Sequence, residues 1–393
     1  MNQINHPLLS LEEGNWFKLI CGASFQHLPA VRSLTLAYAL AGADCIDVAA
    51  DPAVIAAAQE GIKIARNLAT AATKRGFLSK GLPWLMVSFN DGEDPHFRKA
   101  AFDPTTCPSD CPRPCERICP TSAIRFTDGE SNNSGVIDNL CYGCNRCVVV
   151  CPSQLIFTRS YVSTPQAVAA IIQDLKIDAI EIHTQVGHYQ DFKRLWQGIF
   201  PLIGQLKLLS ISCQNHQDLI DYLHSLYELI SPLPCPLLWQ TDGRPMSGDI
   251  GKGTTHAAIK IAQKVLFSDL PGYVQLAGGT NWHTVTKLRN SGLLKVQPTN
   301  WIQGEEETQI DMSNSLTIPN VQSPSISGVA YGSYARSQLS PILNQLEIGH
   351  QSVPSSLSKL EDCPDLLWQA VQQAHSLVKQ IKPSVSLTCT VQS

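Results

Sequence analysis

The sequence predicts an α/β fold, because short apolar segments alternate with helical patterns along most of its 393 residues. The apolar segments lack polar alternation, which is typical of parallel strands that are buried on both faces beneath a layer of helices. Eight such segments occur, and eight strand–helix units in succession predict a TIM-like (β/α)8 barrel. An open, doubly wound sheet would show the same alternation and is the alternative fold.

The eight predicted strands span residues 17–24, 45–50, 84–90, 179–183, 206–212, 237–242, 273–277 and 328–332. Helical patterns occupy residues 28–40, 52–76, 165–175, 189–202, 217–230, 255–267, 282–290, 338–346 and 364–381. The second helix has a clear start, since Asp51 is a suitable N-cap and Pro52 takes the first helical position. This order divides the chain into a first barrel part at 1–102, an insertion after strand three at 103–158, the remaining barrel at 159–348, and a linker with a C-terminal helix at 349–393.

The insertion holds eight of the fourteen cysteines. Its second run consists of Cys141, Cys144, Cys147 and Cys151 followed by Pro152, which is the C-x2-C-x2-C-x3-C-P spacing of bacterial ferredoxins. In that motif three closely spaced thiolates bind one iron–sulfur cluster, and the fourth cysteine binds the other cluster. The run therefore predicts iron–sulfur ligands in a ferredoxin-like unit.

The first run has a wider spacing, C-x3-C-x3-C-x3-C-P, and ends at Pro120. Prolines at 108, 112 and 114 oppose a continuous helix, so a loop that wraps a cluster is predicted. The crossed arrangement of ferredoxins then assigns two [4Fe–4S] clusters. One is bound by Cys107, Cys111, Cys115 and Cys151, and the other by Cys141, Cys144, Cys147 and Cys119.

Three other uses of these cysteines compete with two four-iron clusters. A disulfide framework is disfavoured by the N-terminus, which lacks the features of a signal peptide. The protein is therefore expected in the cytosol, where thiols stay reduced. Zinc sites favour paired C-x2-C knuckles separated by a spacer, whereas each run here ends in Cys-Pro. A single cluster is the open alternative, with the first run degenerate or holding a [3Fe–4S] form, because only the first spacing is unusual.

The composition excludes several functional classes. Lysine and arginine total 29 against 33 acidic residues, for a formal net charge of −4, and no basic tract is present. Nucleic acid is therefore not expected as a partner. The apolar runs are far too short for a membrane span, and Glu12 and Glu13 stand where a signal peptide would be basic. A cytoplasmic protein is expected.

Two glycine turns fall where barrels commonly bind phosphate. Gly278 and Gly279 follow the seventh predicted strand, and Gly332, Ser333 and Arg336 follow the eighth. Backbone N–H groups and a guanidinium at one edge suit a phosphorylated ligand such as FMN. The competing interpretation is conformational, because glycine permits tight turns.

Glu181 and His183 alternate with isoleucines on the fourth predicted strand and therefore face the same side. They form either an acid–base pair at the barrel top or a buried hydrogen-bonded network, and the network is the favoured interpretation. Neither a nucleophile elbow nor an H-E-x-x-H sequence is present. No catalytic residue is assigned.

The chain resembles the cyanobacterial light-dependent-period family in the runs DCPRPCERICPTSAIRF and LCYGCNRCVVVCPSQLIF. The resemblance extends over the whole chain, including the turns LAGGTNWHT and GVAYGSYAR. It implies iron–sulfur-based sensing of cellular redox state, which conveys light-dependent information to the circadian clock. It also implies that the eight cysteines are the functional ligands. The partners expected from it are circadian clock proteins, their associated sensor kinases, and electron carriers of photosynthetic metabolism.

Two functions agree with these features. A redox sensor needs no substrate pocket, since a change in cluster charge alters the affinity of a nearby surface for its partners. An oxidoreductase would instead hold FMN at Gly279 and Gly332 and receive electrons from the adjacent clusters. A third, weaker alternative is a protein scaffold whose clusters serve folding.

Overall fold

The computed structural model describes residues 6–21, 28–77, 81–119, 122–126, 135–137, 140–141, 146–162, 165–244, 253–295, 324–348 and 359–382. Cys144 and the predicted linker at 349–358 lie outside these ranges. The helices are α1 His6–Glu13, α2 Leu28–Ala41, α3 Pro52–Lys74, α4 Pro114–Ile118, α5 Arg146–Val150, α6 Pro165–Asp174, α7 Tyr189–Ile199, α8 Leu219–Ile230, α9 Thr254–Leu266, α10 Thr284–Asn290, α11 Ser333–Ile348 and α12 Pro364–Val378. The strands are β1 Trp16–Ile20, β2 Cys45–Ala49, β3 Trp84–Asn90, β4 Glu93–Ala101, β5 Ile124–Arg125, β6 Gly135–Val136, β7 Phe157–Val162, β8 Ala179–Thr184, β9 Leu208–Gln214, β10 Leu237–Asp242, β11 Tyr273–Ala277 and β12 Gly328–Tyr331.

Eight parallel strands close into a barrel in the order β1-β12-β11-β10-β9-β8-β3-β2. This closure confirms the eight-stranded barrel and excludes the open sheet. The predicted helix at 189–202 is shorter than expected, because α7 ends at Ile199 and Pro201 cannot continue its hydrogen bonding. A 3₁₀ helix takes over at Phe200–Gln205, and β9 begins two residues after the predicted start as a result. None of the helices in the described part of the chain could cross a membrane.

The barrel interior changes polarity along its axis. Its lower layer is apolar, with side chains that include Trp16, Trp84 and Leu238, and Leu8 and Leu11 of α1 close that end. The sequence patterns did not predict α1. The layer above contains polar side chains that are almost fully buried, namely Lys18, Glu181, Ser210, Gln240 and Gln275. A polar interior of this kind needs complete hydrogen bonding to be stable.

The chain leaves the barrel after β3 and returns before α6 through an antiparallel pair of strands. β4 pairs with β7, so that Lys99 lies opposite Arg159 and Ala101 opposite Phe157. This stalk adds strand residues on both sides of the predicted insertion at 103–158. Sequence patterns missed it because β4 is rich in charged residues and contains Pro95, which disfavours a strand assignment.

A buried ion pair fastens the stalk to the barrel. Lys99 Nζ lies 3.0 Å from Asp51 Oδ2, and both residues are almost inaccessible to solvent. The other oxygen of Asp51 accepts the N–H of Ala53 at 2.8 Å and caps α3, as the sequence predicted. One carboxylate therefore holds both the start of a barrel helix and the base of the insertion.

We expect Gly61→Ala to destabilise the barrel. A Cβ at this position of α3 would lie 2.7 Å from Arg32 O and 2.9 Å from Thr35 Cβ on α2. The clash should lower the free energy of unfolding by about 1–3 kcal/mol, even though alanine favours a helix by about 1 kcal/mol. Urea denaturation measures the change. Gly204→Ala is the control, because nothing lies within 4 Å of its Cβ position and stability should be unchanged. Equal stability of the two variants would contradict the close packing of α2 on α3.

Candidate functional site

Cysteines form much of the interior of the insertion. Cys115, Cys141 and Cys147 are buried and pack together with Ile124 and Ile156. Cys119 and Cys151 pack at the edge of the same cluster. A small interior in which cysteines take several of the buried positions is typical of units that depend on a bound metal for stability.

The two cysteine tracts share one local structure. α4 and α5 each span five residues, carry a cysteine at the second position, and end directly before Cys119 and Cys151, respectively. The carbonyl oxygens of these two cysteines accept the N–H groups of Ser122 and Gln154, each at 3.2 Å. Both Ser122 and Gln154 have a left-handed φ of 52°. The tracts therefore form the same turn, although the spacing of their first cysteines differs.

The first three cysteines of the first run lie near the last cysteine of the second run. Burial raises the pKa of the Cys107 thiol, and Cys111 and Cys151 raise it further. Burial also raises the pKa of Cys115, with further contributions from Cys151 and Cys107. Cys107 and Cys115 are thus within electrostatic reach of Cys151 and of each other, and Cys111 is within reach of Cys107. Elsewhere in the insertion, Cys119 Sγ accepts the N–H of Ala123 at 3.2 Å.

The thiols of the insertion are suitable iron–sulfur ligands by their chemistry, since each thiolate of a four-iron cluster binds a different iron. The N–H donated to Cys119 Sγ is the kind of contact that tunes such clusters.

A cation is buried inside the barrel. Lys18 Nζ on β1 lies 2.6 Å from Glu181 Oε2 and 3.4 Å from Asp47 Oδ2. Burial alone would lower the pKa of Lys18, but the two carboxylates outweigh it and hold the pKa above its ordinary value. Lys18 therefore remains charged and cannot act as a nucleophile. Sequence reasoning missed this residue, whose only signal was a lone lysine inside an apolar strand.

Glu181 belongs to a hydrogen-bonded network. Besides the contact with Lys18, it accepts hydrogen bonds from Ser210 Oγ at 2.6 Å and Gln240 Nε2 at 2.8 Å. His183 does face the same side, and its Nε2 lies 3.4 Å from Glu181 Oε1. Burial would raise the pKa of Glu181, but Lys18 and His183 lower it below its ordinary value. Because Glu181 accepts several hydrogen bonds and its pKa is lowered, it favours the interpretation as a buried hydrogen-bonded network over that as an acid–base pair.

The two predicted glycine turns lie close together at the upper rim. Thr280 Oγ1 in the first turn donates to Ala330 O of β12 at 2.7 Å. Gly278 and Gly279 have φ values of 60° and 93°, and a Cβ on Gly278 would lie 2.7 Å from Arg244 O. Backbone conformation and close packing therefore account for these glycines.

Arg336, the arginine of the second turn, donates hydrogen bonds to neighbouring residues at the barrel rim. Arg336 Nη1 donates to Ile20 O and Arg336 Nη2 donates to Ser333 Oγ, each at 3.0 Å. Gly332 lies beside this guanidinium, since a Cβ there would stand 3.5 Å from Arg336 Nη1. The arrangement joins the end of β1 to the start of α11.

Comparisons with known proteins place the chain in a family. Residues 107–162 match the LdpA Fe–S cluster-binding domain, and residues 171–380 match the light dependent period A C-terminal domain. The chain is 46% identical over 379 residues to light dependent period A of Synechococcus elongatus, covering 96% of this chain and 94% of that protein. The chain belongs to the light dependent period A family. Its cysteine-rich segment is accordingly an iron–sulfur-binding domain of that family.

A likeness to a solved structure adds nothing to this assignment. Tryptophan synthase of Mycobacterium tuberculosis matches with a TM-score of 0.38 and 9% identity, covering 96% of this chain and 98% of the other. Such a score is too low to support an inference. The fold of this LdpA family member is described by its own strand order.

We expect Asp242 to make stability depend on pH. Ser212 Oγ donates to this carboxylate at the top of β10, and burial raises its pKa to about 6. The folded state favours the protonated carboxyl group. The contribution of Asp242 to the free energy of unfolding is therefore complete below pH 4 and is lost as the pH rises through 6. At pH 8, Asp242→Asn should be more stable than the wild type by about 1–3 kcal/mol.

Urea denaturation between pH 4 and pH 8 measures this difference. Asp174→Asn serves as the control, since Asp174 is exposed at the end of α6 and its substitution should leave the pH profile unchanged. If stability depends on pH in the same way in the wild type and in Asp242→Asn, burial does not raise the pKa of Asp242.

Proposed function

We propose that this chain is an iron–sulfur redox sensor that conveys light-dependent cellular redox state to the circadian clock. The single observation that carries the proposal is the cysteine-lined interior of the segment that matches an iron–sulfur-binding domain. The name of the Synechococcus elongatus relative, light dependent period A, supports a link to light and to the period of the circadian clock. Clock proteins, their sensor kinases and photosynthetic electron carriers are the proposed partners.

Within this proposal, the insertion is ferredoxin-like and holds two [4Fe–4S] clusters in the crossed arrangement. The nearness of Cys151 to Cys107 and Cys115 supports the first ligand set, which Cys111 completes. Cys119, Cys141 and Cys147 make up the second set together with Cys144, and these three lie in the same core as Cys115 and Cys151. The shared turn after Cys119 and Cys151 supports two related halves.

The cluster supplies one-electron chemistry when it is bound. The chain's own residues hold it and carry its effect: the N–H of Ala123 points at Cys119 Sγ, and Lys99 fixes the stalk to Asp51. A charge change at the clusters would therefore act on a stalk that is attached to the barrel rim by the Lys99–Asp51 ion pair. An FMN enzyme is not favoured, because packing already accounts for Gly278 and Gly279.

The crossed arrangement predicts how paired cysteine variants lose iron. Cys147 and Cys151 would serve different clusters, so the double variant Cys147→Ser/Cys151→Ser should lose both clusters and nearly all iron. Cys141 and Cys147 would serve the same cluster, so Cys141→Ser/Cys147→Ser should keep about four of eight irons. Iron and sulfide analysis after anaerobic reconstitution, with EPR of the reduced protein, measures both variants. Equal iron in the two double variants would contradict the crossed ligand sets, and about four irons in the wild type would indicate one cluster.

The sensing function predicts that partner affinity depends on redox state. Binding of purified cyanobacterial clock proteins to the reconstituted chain is measured anaerobically, once oxidised and once reduced with dithionite. We expect the Kd to differ at least about threefold, which is about 0.6 kcal/mol of coupling. The double variant Cys147→Ser/Cys151→Ser should lose this difference. Equal affinities in both states would indicate a scaffold, and FMN released on denaturation would indicate an oxidoreductase.

A further inference from the structure

We propose that the outer faces of α4 and α5 form the docking surface for an acidic one-electron carrier protein that reduces the chain. This inference rests on the proposed iron–sulfur function and names the partner that delivers the electron. The surface is defined by Arg117 and Ile118 on α4 and by Arg146 and Val149 on α5. The two helices pack against each other, so their outer faces adjoin.

The proposed surface is apolar at its centre. Val149 is 86% exposed and Ile118 is 40% exposed. Among the described residues the exposed large hydrophobic side chains are Ile118, Val149, Phe157, Phe200, Phe267 and Trp282, so half of them lie on the insertion. Exposed apolar side chains cost solubility and are concentrated where proteins bind a partner.

The exposed side chains lie directly over the cysteines. Val149 stands midway in sequence between Cys147 and Cys151, and Ile118 immediately precedes Cys119. Cys147 is buried while Val149 is exposed, so one turn of α5 separates solvent from the interior of the cysteine-rich core. A carrier that docks on these helices would place its redox centre close to the thiols.

The same faces carry positive charge. Arg117 and Arg146 are exposed, and so is Arg125 on the adjoining β5. None of the ion pairs between described residues involves these three arginines. Among the described acidic residues of the insertion, Glu116 is partly buried and accepts the N–H of Phe126, and Asp103 and Asp110 are exposed. Exposed arginines on one face attract an acidic partner and raise its association rate.

Size and charge together select the occupant. Two five-residue helices offer a small surface, which suits the transient complexes of electron transfer rather than a permanent assembly. A second copy of this chain would oppose arginine to arginine and is disfavoured. In the complex one electron passes from the reduced carrier, which becomes oxidised, to an oxidised [4Fe–4S]²⁺ cluster, which becomes [4Fe–4S]⁺. No covalent bond forms or breaks.

The test uses the full reconstituted chain and reduced plant-type [2Fe–2S] ferredoxin, a strongly acidic carrier, under anaerobic conditions. Charge reversal in Arg117→Glu/Arg146→Glu should lower the second-order rate of cluster reduction at least tenfold at low salt and weaken ferredoxin binding by a similar factor. Wild-type reduction should slow as salt is added, because the attraction is screened. The control Lys63→Glu/Arg66→Glu makes the same charge change on the exposed face of α3 and should leave the rate unchanged.

Two further measurements separate this proposal from the function on which it rests. Excess dithionite should bleach the wild type and both charge variants to the same extent, which shows that the clusters are intact. If dithionite bleaches none of them, the iron–sulfur function itself fails. If dithionite bleaches all of them but ferredoxin reduces Arg117→Glu/Arg146→Glu as fast as the wild type, the docking surface is overturned. Wild-type reduction by ferredoxin that does not slow as salt is added would overturn it as well.

Discussion

The buried ion pair between Lys99 and Asp51 joins the two parts of this molecule. Lys99 belongs to the stalk of the insertion, and Asp51 caps the helix that follows the second barrel strand. Breaking such a pair leaves an uncompensated buried charge, which costs about 3–5 kcal/mol. The insertion is therefore held at the rim by an interaction that is expensive to remove.

The barrel and the insertion are stabilised by different physics. The barrel buries apolar side chains between its strands and helices and closes its lower end with α1. Its polar middle layer is tolerated because Lys18 and Glu181 satisfy each other and their neighbours. The insertion has only a small core, and cysteines contribute much of it. Such a unit gains its stability from the metal that its thiols bind, which makes cluster binding and folding one equilibrium.

This division suits a sensor. The barrel offers a stable base, since its buried charges are paired and its ends are packed. The insertion presents arginines and apolar side chains close to the cysteines, beyond the end of the stalk at which Ala101 lies opposite Phe157. A signal that changes charge among the thiols would act within this unit first and on the stalk next, because α4, α5 and the stalk enclose one core.

The sequence alone determined the elements of the barrel and the chemistry of the insertion. β3, β10 and β11 have the predicted bounds, because a short, mostly apolar segment between turn residues is a local property of the sequence. The spacing of Cys141, Cys147 and Cys151 is likewise local. The crossed ferredoxin pattern also placed Cys151 with Cys107 from the sequence. Only the tertiary structure decided that Lys18 pairs with Glu181 and Lys99 with Asp51. These contacts join residues far apart along the chain, and they exist because barrel closure and the antiparallel stalk bring distant strands side by side, which no local pattern encodes.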